Sequence, residues 1–243
     1  MTSRIAVVGA TGTLGSFIVD LVERTDGLEL HAGLSSSDDL DGVLGADLVV
    51  DVTHPAVSPA IVEHVVRAGL PVLVGTSGWS AERIAKLSTI VADVAGPGVL
   101  VVPNFSLGSV LATRFATMAA RFYDSIEIVE SHHDGKVDSP SGTAVRTAEL
   151  IAEARRDLGP VAAPFSDQRA RGQQVASVPV HSLRMRGVVA QQSVILGGAG
   201  ETLTLTHDTL SQSAYEKGLL VAIEAAPTVS GVVVGLDRVL PLD

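Results

Sequence analysis

The chain has 243 residues and no cysteine, and its 17 basic and 27 acidic residues give a formal net charge of −10. Hydrophobic residues make up 46% and charged residues 18%, a balance typical of globular rather than disordered proteins. The negative charge argues against nucleic acid or an acidic membrane surface as a partner, because phosphate binding requires clustered Lys and Arg. Without cysteine there is no disulfide framework, no thiolate metal site and no cysteine nucleophile.

The start of the chain, MTSRIAVVGA, lacks the charged and apolar regions of a secretory signal. No apolar run reaches the roughly 20 residues that a membrane-spanning helix needs. We therefore expect a soluble, cytoplasmic protein that binds a small molecule, with no membrane partner and no nucleic-acid partner. The absence of cysteine leaves metal sites of histidine and carboxylate open, and we assign no residue to a metal.

The first hundred residues alternate between short β-branched runs and amphipathic stretches, which predicts strands joined by helices. The predicted strands are residues 5–8, 28–34, 46–52, 71–74 and 98–102. The predicted helices are residues 13–23, 61–68 and 81–94. The third strand, ADLVVDV, is apolar enough to be buried on both faces, as parallel strands are. This alternation predicts an α/β domain with a Rossmann-like, doubly wound parallel sheet.

After Pro103-Asn104-Phe105 the pattern changes. Helices are predicted at residues 107–122 and about 143–158, and they flank a strand at 126–131. A polar loop at 164–174 precedes three successive strand candidates, residues 177–184, 188–196 and 202–207. Strands in succession predict a smaller α+β domain with a mixed or antiparallel sheet.

The end of the chain resembles its first part more than its middle. A helix at residues 214–226 precedes an apolar strand at 232–236, similar to the buried strands of the first domain. We therefore predict one domain of residues 1–106, completed by about 215–243, and a second domain of residues 107–214.

The segment VVGATGTLG places Gly9, Gly12 and Gly15 where a predicted strand leads into a helix. Gly9 can make the tight turn, and Gly12 can let the backbone approach a pyrophosphate. Gly15 can permit close contact between helix and sheet. This arrangement predicts a dinucleotide-binding site, although a glycine-rich packing turn would give the same spacing.

A dinucleotide site usually has an acidic residue about 20 residues further on, which binds the adenosine ribose of NAD. The second strand ends here in Gly33-Leu34-Ser35-Ser36-Ser37. Asp38 and Asp39 lie slightly too far along the chain unless the loop brings them back. Because the Ser35 hydroxyl does not repel a phosphate as a carboxylate would, we expect NADPH to be accepted as a cofactor.

The segment ESHHDGKVDSPSGTA, residues 130–144, concentrates chemically active groups. Its Ser-Pro-Ser-Gly-Thr run, residues 139–143, is a predicted helix start whose exposed N–H groups can bind a carboxylate. Just upstream, His132, His133 and Lys136 add up to three cationic donors. Together they predict a pocket for a carboxylated substrate with proton donors beside it; the alternative is a solvated structural loop or a chance metal-binding pair.

These motifs resemble the dihydrodipicolinate reductase family, also called 4-hydroxy-tetrahydrodipicolinate reductase, of the diaminopimelate route to lysine. The ordered matches span almost the whole chain: VVGATGTLG, DVTHP, VGTSGW, VPNFSLG, ESHHDGKVDSPSGTA, VPVHSLRMRG and GETLTLTHD. The string His-His-x-x-Lys-x-Asp-x-Pro-Ser-Gly-Thr-Ala is the most specific of them.

The resemblance implies reduction of 4-hydroxy-tetrahydrodipicolinate by NADPH or NADH with loss of water. It implies His132 as the proton donor and Lys136 as a second donor that also grips the substrate. The substrate carboxylates would be held by His133, Ser141, Gly142 and Thr143. The cofactor would be held by Gly9, Ala10, Thr11, Gly12, Thr13, Leu14, Gly75, Thr76, Ser77, Val102, Pro103, Asn104 and Phe105. Ser35, which the argument on the end of the second strand adds, completes the predicted cofactor-binding set.

For the domains, the resemblance implies a dinucleotide-binding first domain and a second domain for substrate binding and oligomerisation. It implies a homotetramer assembled through the sheet of that second domain. The chain departs from the family pattern at Ser35, Ser77, Asp134-Gly135, Gln191 and Gln212.

Two alternatives to the reductase remain. One is a divergent NAD(P)H-dependent reductase or dehydrogenase of a related carboxylate. The other is a non-catalytic nucleotide-sensing protein that keeps the glycine turn, against which the presence of His132 and Lys136 argues.

Overall fold

The computed structural model describes residues 2–94 and 96–241. By its internal contacts the chain divides into unit 1, Met1–Phe105 with Tyr215–Asp243, and unit 2, Ser106–Ala214. The two outermost residues of the first predicted domain, 1 and 243, lie outside the described residues. Each unit has its own sheet and its own hydrophobic core.

The described strands, in chain order, are β1 Ser3–Val8, β2 Leu28–Leu34, β3 Leu48–Asp51, β4 Val72–Val74, β5 Val99–Val101, β6 Ser125–His132, β7 Gln173–Val175, β8 Val178–Arg184, β9 Ala190–Gly198, β10 Glu201–Thr209 and β11 Val232–Val234. The α-helices are α1 Thr13–Glu23, α2 Ser58–Arg67, α3 Ala81–Asp93, α4 Leu107–Ala119, α5 Gly142–Ala154 and α6 Glu216–Ala225. None of the described helices is long and apolar enough to cross a membrane.

Unit 1 contains a parallel sheet in the order β11-β5-β4-β3-β1-β2. Strands β3, β4 and β5 are buried along their whole length, as their apolar sequences predict for parallel strands covered on both faces. Strand β11 pairs with β5. The prediction of a Rossmann-like parallel sheet is therefore confirmed.

Unit 2 contains a mixed sheet in the order β10-β9-β6-β8-β7. Strands β6 and β8 are parallel, whereas the other neighbours are antiparallel. One face of this sheet packs under α4 and α5, where Ile126 and Ile128 meet Ala116, Ala148 and Ile151 in the core. The second, mixed sheet is thus also confirmed, and its central strand β6 leads directly into the segment that the sequence singled out.

Helices α4 and α5 end several residues earlier than predicted. Helix α4 ends at Ala119 and gives way to a 3₁₀ turn, Ala120–Phe122. The buried guanidinium of Arg155 donates from Nη1 to the carbonyl oxygens of Ala120, at 2.6 Å, and of Tyr123, and so satisfies acceptors that a continuing helix would have used. Helix α5 likewise ends at Ala154, before a second 3₁₀ turn. The periodicity continues through both turns and therefore hides these ends.

The loop predicted at residues 164–174 is also more structured than expected. It contains a 3₁₀ turn, Arg169–Arg171, and leads into the short strand β7, which pairs with β8. The sequence of β7, Gln-Gln-Val, is polar and short, so it carries no strand periodicity of its own.

Candidate active site

Strand β6 positions the first residues of the candidate site. Because successive strand residues face opposite sides of a sheet, Glu130 and His132 lie on the same face. On the parallel neighbour β8, Ser182 is in register with Glu130 and Arg184 is in register with His132. Four polar side chains therefore gather where β6 ends.

The centre of this group is Glu130, whose side chain is fully buried. Arg184 donates from Nη1 to Oε2 and from Nη2 to Oε1, both at 2.9 Å. The Ser141 amide donates to Oε1 at 3.2 Å, and His132 Nδ1 lies 2.6 Å from Oε2. Burial would raise the pKa of Glu130, but the hydrogen bonds from Arg184, Ser182 and His132 hold that pKa below its ordinary value. Glu130 is therefore ionised at neutral pH.

This ionisation fixes the proton of His132. An ionised carboxylate accepts but cannot donate, so Nδ1 must donate to Glu130, and Nε2 remains the nitrogen that a ligand can use. Burial lowers the pKa of His132; Glu130 opposes that shift, whereas the positive charges of Lys136 and Arg184 reinforce it. His132 is thus a half-buried imidazole of defined tautomer.

Arg184 also holds the loop that carries Lys136. Its Nε donates to the Lys136 carbonyl at 3.3 Å, and its Nη2 donates to the Asp138 carbonyl at 2.6 Å. The Lys136 ammonium donates to Asp138 Oδ1 at 2.7 Å, with 23% of the lysine side chain exposed. One guanidinium therefore anchors both the histidine and the lysine segments.

The predicted helix start is present. Ser141 is the N-cap of α5, and its hydroxyl accepts from the Ala144 amide at 3.3 Å. Gly142 and Thr143 are the first two helical residues. A Cβ added to Gly142 would have no described heavy atom within 4 Å of it, so this glycine borders open space. Nothing in the packing of the described residues requires a glycine there.

Two adjoining residues lie at the surface. His133 is exposed, and its carbonyl accepts from the Lys136 amide at 3.2 Å. Asp134, one of the departures from the family pattern, accepts from Arg186 Nε at 3.0 Å, and both side chains are largely exposed. Another departure, Gln191 on β9, donates to Asp208 of β10 at 2.5 Å.

In unit 1, the glycine turn follows β1. Gly9 has φ of +92°, and a Cβ on it would lie 2.7 Å from the Val52 carbonyl oxygen. A Cβ on Gly15 would collide with the Gly9 carbonyl oxygen. Both glycines are therefore required by the turn itself, and Gly15 contacts the turn backbone rather than the sheet surface.

Gly12 differs from these two glycines. A Cβ there would meet only the Gly9 carbonyl oxygen, at 3.3 Å, among the described atoms. It is the N-cap of α1, no side chain in the described ranges caps that helix start, and Thr11 and Thr13 on either side are exposed. This open helix start fits the close approach of a phosphate to the backbone. Ala10 and Leu14 are half-buried beside it.

At the end of β2 the loop brings Asp38 back, which was one of the two alternatives that the sequence left open. Asp38 is not too far along the chain, because its Oδ2 accepts from the Ser35 amide at 2.7 Å and from the Ser35 hydroxyl at 2.6 Å. These bonds lower the pKa of Asp38. The preceding residue, Leu34, accepts from the amides of Gly9 and Ala10. Leu34 therefore contacts the glycine turn, and the next residue, Ser35, holds the Asp38 carboxylate. The Ser35 hydroxyl already donates a hydrogen bond to that carboxylate.

The remaining cofactor candidates differ in exposure. A Cβ on Gly75 would lie 2.7 Å from the ring of the buried Phe105. The hydroxyl of buried Thr76 donates to Asp51 Oδ2 at 3.0 Å and accepts from the Thr53 amide at 2.8 Å. These residues shape the strand ends, whereas Ser77 is exposed. Of the residues after β5, Val102 is buried, Pro103 is exposed and Asn104 is half-buried.

Two protein-family models match this chain, one over the first part of unit 1 and one over unit 2 and the end of the chain. The model described as the N-terminus of dihydrodipicolinate reductase matches residues 3–105, and the C-terminal model matches residues 108–240. The chain belongs to the dihydrodipicolinate reductase family.

Individual relatives support the assignment. The protein named 4-hydroxy-tetrahydrodipicolinate reductase of Clavibacter michiganensis subsp. michiganensis is 62% identical over all of this chain and 88% of its own length. That of Streptomyces griseus subsp. griseus is 46% identical over 99% of this chain and 98% of its own. The dipicolinate-bound dihydrodipicolinate reductase of Paenisporosarcina sp. TG-14 superposes with a TM-score of 0.85 at 29% identity, covering 99% of this chain and 100% of that one.

Three residues of this reductase-family chain, Glu130, Arg184 and Asp51, were given no role from the sequence alone. Glu130 and Arg184 lie inside motifs that were quoted, and Asp51 ends the apolar strand β3. The signal available for Asp51 was a carboxylate at the end of a fully buried strand, and for Glu130 it was a carboxylate on the buried face of β6, because such a group is retained only with partners. The partner of Glu130, 54 positions further along, could not be read from one sequence.

Proposed function

We propose that the chain reduces 4-hydroxy-tetrahydrodipicolinate with NADPH or NADH and releases water, a step of diaminopimelate and lysine biosynthesis. The observation that carries this proposal is the linkage of His132, the Lys136 loop and the α5 start through Glu130 and Arg184. A dicarboxylate substrate needs anion-holding groups next to proton donors, and this segment supplies both.

In this proposal the open helix start receives a substrate carboxylate at the N–H groups that follow Ser141, with Gly142 leaving room for it. His133, Thr143 and the Lys136 ammonium complete the anion-holding set. Lys136 is also the second proton donor.

His132 is the proposed proton donor, acting through Nε2. Its lowered pKa makes the imidazolium a stronger acid. The negative charge of a bound dicarboxylate stabilises the imidazolium, so we expect the ring to take up a proton as the substrate binds.

The proposed cofactor site lies along the strand ends of unit 1, from Gly9 to Leu14, at Gly75, Thr76 and Ser77, and from Val102 to Phe105. A reduced nicotinamide bound there would supply the hydride for C4 of the substrate ring. The open approach at Gly12 and the uncapped start of α1 fit its pyrophosphate.

The Asp38 carboxylate favours NADH over NADPH in this chain. It stands next to the glycine turn, and its Oδ1 forms no hydrogen bond with any residue in the described ranges, so it can accept from a ribose hydroxyl. The same negative charge repels a 2′-phosphate.

This preference is testable by binding alone. Dissociation constants for NADH and NADPH are measured by cofactor fluorescence for the wild type, Asp38→Asn and Asp39→Asn. We expect Asp38→Asn to lower the NADH preference about tenfold, or about 1.4 kcal/mol. The neighbouring Asp39→Asn removes the same charge but not the contact with Ser35, and it should have little effect. Equal ratios in all three proteins would contradict the assignment.

A cytoplasmic location and assembly into a homotetramer through the unit 2 sheet are also part of the proposal. The assembly rests on the family resemblance. Light scattering coupled to size exclusion tests it directly, and a monomeric mass would remove it from the proposal.

The test of the activity is the absorbance decay of NADPH and NADH with substrate made in situ from pyruvate and aspartate semialdehyde by the preceding synthase. We expect synthase-dependent oxidation, and a fall of about 10²–10⁴-fold in Lys136→Ala, as for the loss of a positioned acid. Lys86→Ala on the exposed side of α3 is the matched control.

Each alternative has its own outcome in this assay. Absence of oxidation from folded protein that binds cofactor would favour a related carboxylate substrate, to be found by a substrate screen. A His132→Ala variant with unchanged cofactor binding and unchanged rate would favour the nucleotide-sensing alternative.

A further inference from the structure

Glu130 contacts three separate parts of the candidate site, namely β8, the start of α5 and the ring of His132. Its two oxygens accept from β8 through Arg184, from the start of α5 through the Ser141 amide, and from the ring of His132. It is fully buried, so it contacts these groups and not solvent. A side chain in that position can orient the site without touching a ligand.

We propose that Glu130, held by the bidentate contact of Arg184, is a positioning residue that fixes the His132 proton on Nδ1 and ties that ring to the start of α5. The proposal rests on the proposed function in one respect, namely that His132 is the proton donor. The other part of the proposal, that Glu130 selects the tautomer of His132, concerns the protein without ligand and is tested independently of the proposed function.

The tautomer matters because only one ring nitrogen is free for a ligand. With the proton on Nδ1 and Glu130 as its acceptor, Nε2 carries the second proton when His132 becomes an imidazolium. A neutral side-chain amide in place of Glu130 presents both a donor and an acceptor, so it no longer selects one tautomer. Glu130→Gln therefore tests the function of the charge with little change of shape.

Strand β6 offers a matched control. Glu127 faces the opposite side of the sheet, lies 2.6 Å from His181 Nε2 and accepts from Arg171 Nη2. It thus forms the same types of contact, and it makes none with the candidate site. Glu127→Gln removes an equivalent charge from the same strand.

The first experiment is nitrogen NMR of the histidine side chains across a pH titration, with the His132 signals identified by their loss in His132→Asn. In the wild type we expect neutral His132 to be in the Nδ1–H form. In Glu130→Gln we expect a mixture of tautomers, and in Glu127→Gln the wild-type pattern. An unchanged Nδ1–H form in Glu130→Gln would overturn the proposal.

The second experiment is the pH profile of kcat and KM. Removing Glu130 removes the partner that supports the imidazolium and leaves Arg184 beside it, so in Glu130→Gln the alkaline limb of kcat should move to lower pH. We expect kcat to fall about 100-fold, within the range that a positioned acid contributes. Loss of folded protein alone would scale the rate without moving the limb.

Glu130→Gln leaves Arg184, whose side chain is only 19% exposed, without its counter-ion, and this variant can fail to fold. The double variant Glu130→Gln/Arg184→Met removes both charges, a change that buried ion pairs often tolerate. We expect it to fold with His132 in mixed tautomers and with low kcat. A double variant with the wild-type tautomer and near-native kcat would overturn the proposal.

The two proposals fail in different ways. If the wild type oxidises no cofactor with the substrate while the tautomer changes as expected, the proposed function fails and the positioning role stands. If the wild type is active and both variants keep the Nδ1–H form, the positioning role fails and the function stands.

Discussion

A glutamate of strand β6 meets a histidine and an arginine on each of the two faces of the sheet. On one face Glu130 meets His132 and Arg184, and on the other Glu127 meets His181 and Arg171. The glutamate-to-histidine distance is 2.6 Å in both groups. Residue type alone therefore does not distinguish the group at the candidate active site, around Glu130, from the group around Glu127.

The two groups differ in burial and in what else they bind. The Glu130 side chain is 0% exposed and also accepts from the Ser141 amide, whereas the Glu127 side chain is 30% exposed. In both, burial would raise the carboxyl pKa and the hydrogen bonds lower it below the ordinary value. The connection of a buried charge to an open helix start is thus the feature that distinguishes the candidate site.

The largest expected difference is in stability. Glu130→Ala leaves the half-buried Arg184 guanidinium, 19% exposed, without its counter-ion. Losing one partner of a buried ion pair typically costs about 3–5 kcal/mol, and we expect the lower end of that range because Arg184 keeps some contact with solvent. Glu127→Ala removes a pair that is partly exposed in the single chain and should cost about 0–1 kcal/mol of that chain's own stability. The free energies of urea unfolding, followed by circular dichroism, provide the comparison.

Equal losses in these two alanine variants would show that burial does not separate the two groups. Arg171→Ala removes the arginine that pairs with Glu127, and it is a control for the loss of an arginine from the more exposed of the two groups. It should behave like Glu127→Ala.

A smaller effect is expected at the helix start, which only the Glu130 group contacts. A Cβ at Gly142 meets no described atom within 4 Å, so Gly142→Ala should fold normally. In the proposed function a substrate carboxylate approaches the backbone at Gly142, so we expect KM for the substrate to rise about tenfold, or about 1.4 kcal/mol. Steady-state kinetics measure it, with the unfolding free energy as the control for folding.

An unchanged KM in Gly142→Ala would place the substrate carboxylate elsewhere. The contact between Glu130 and the start of α5 would then have a structural role and no role in substrate binding.

The sequence predicted most of the fold because its strands are strongly patterned. The bounds of α1 and β2 agree with the prediction, since Gly12 and the turn residues mark the ends clearly. The end of α4 was missed because it depends on Arg155, a residue 35 positions further along whose contact leaves no local trace. Strand β7 was missed because only its pairing with β8 makes it a strand.

The candidate site was predicted in a similar way. Groups close together in the chain, such as His132, Lys136 and Ser141, were found from one short segment. Arg184 and the return of Asp38 onto Ser35 were not, because the first depends on strand register and the second on loop conformation. Long-range contacts and loop geometry are the two kinds of information that local patterns do not contain.

The smallest effect, and the one that decides which force controls His132, is the dependence of stability on pH. Burial lowers the pKa of His132 in the folded chain below the value of about 6.5 that it has in the unfolded chain. At a pH between the folded-state and the unfolded-state pKa, the unfolded chain therefore binds more protons than the folded one. Stability from this group is full above pH 6.5 and falls as the pH decreases through the folded-state pKa. The unfolding free energy of the wild type relative to His132→Asn should therefore decrease on acidification from pH 7.5 to 5.5.

The opposite slope would have a definite meaning. If the wild type gained stability relative to His132→Asn as the pH fell, the Glu130 carboxylate would outweigh burial and raise the His132 pKa above 6.5. Glu130→Gln sharpens the test, because it removes the group that supports the imidazolium and should make the loss on acidification larger. Glu127→Gln leaves His132 with all its partners and should keep the wild-type slope, so a changed slope there would show that the two faces of β6 are coupled.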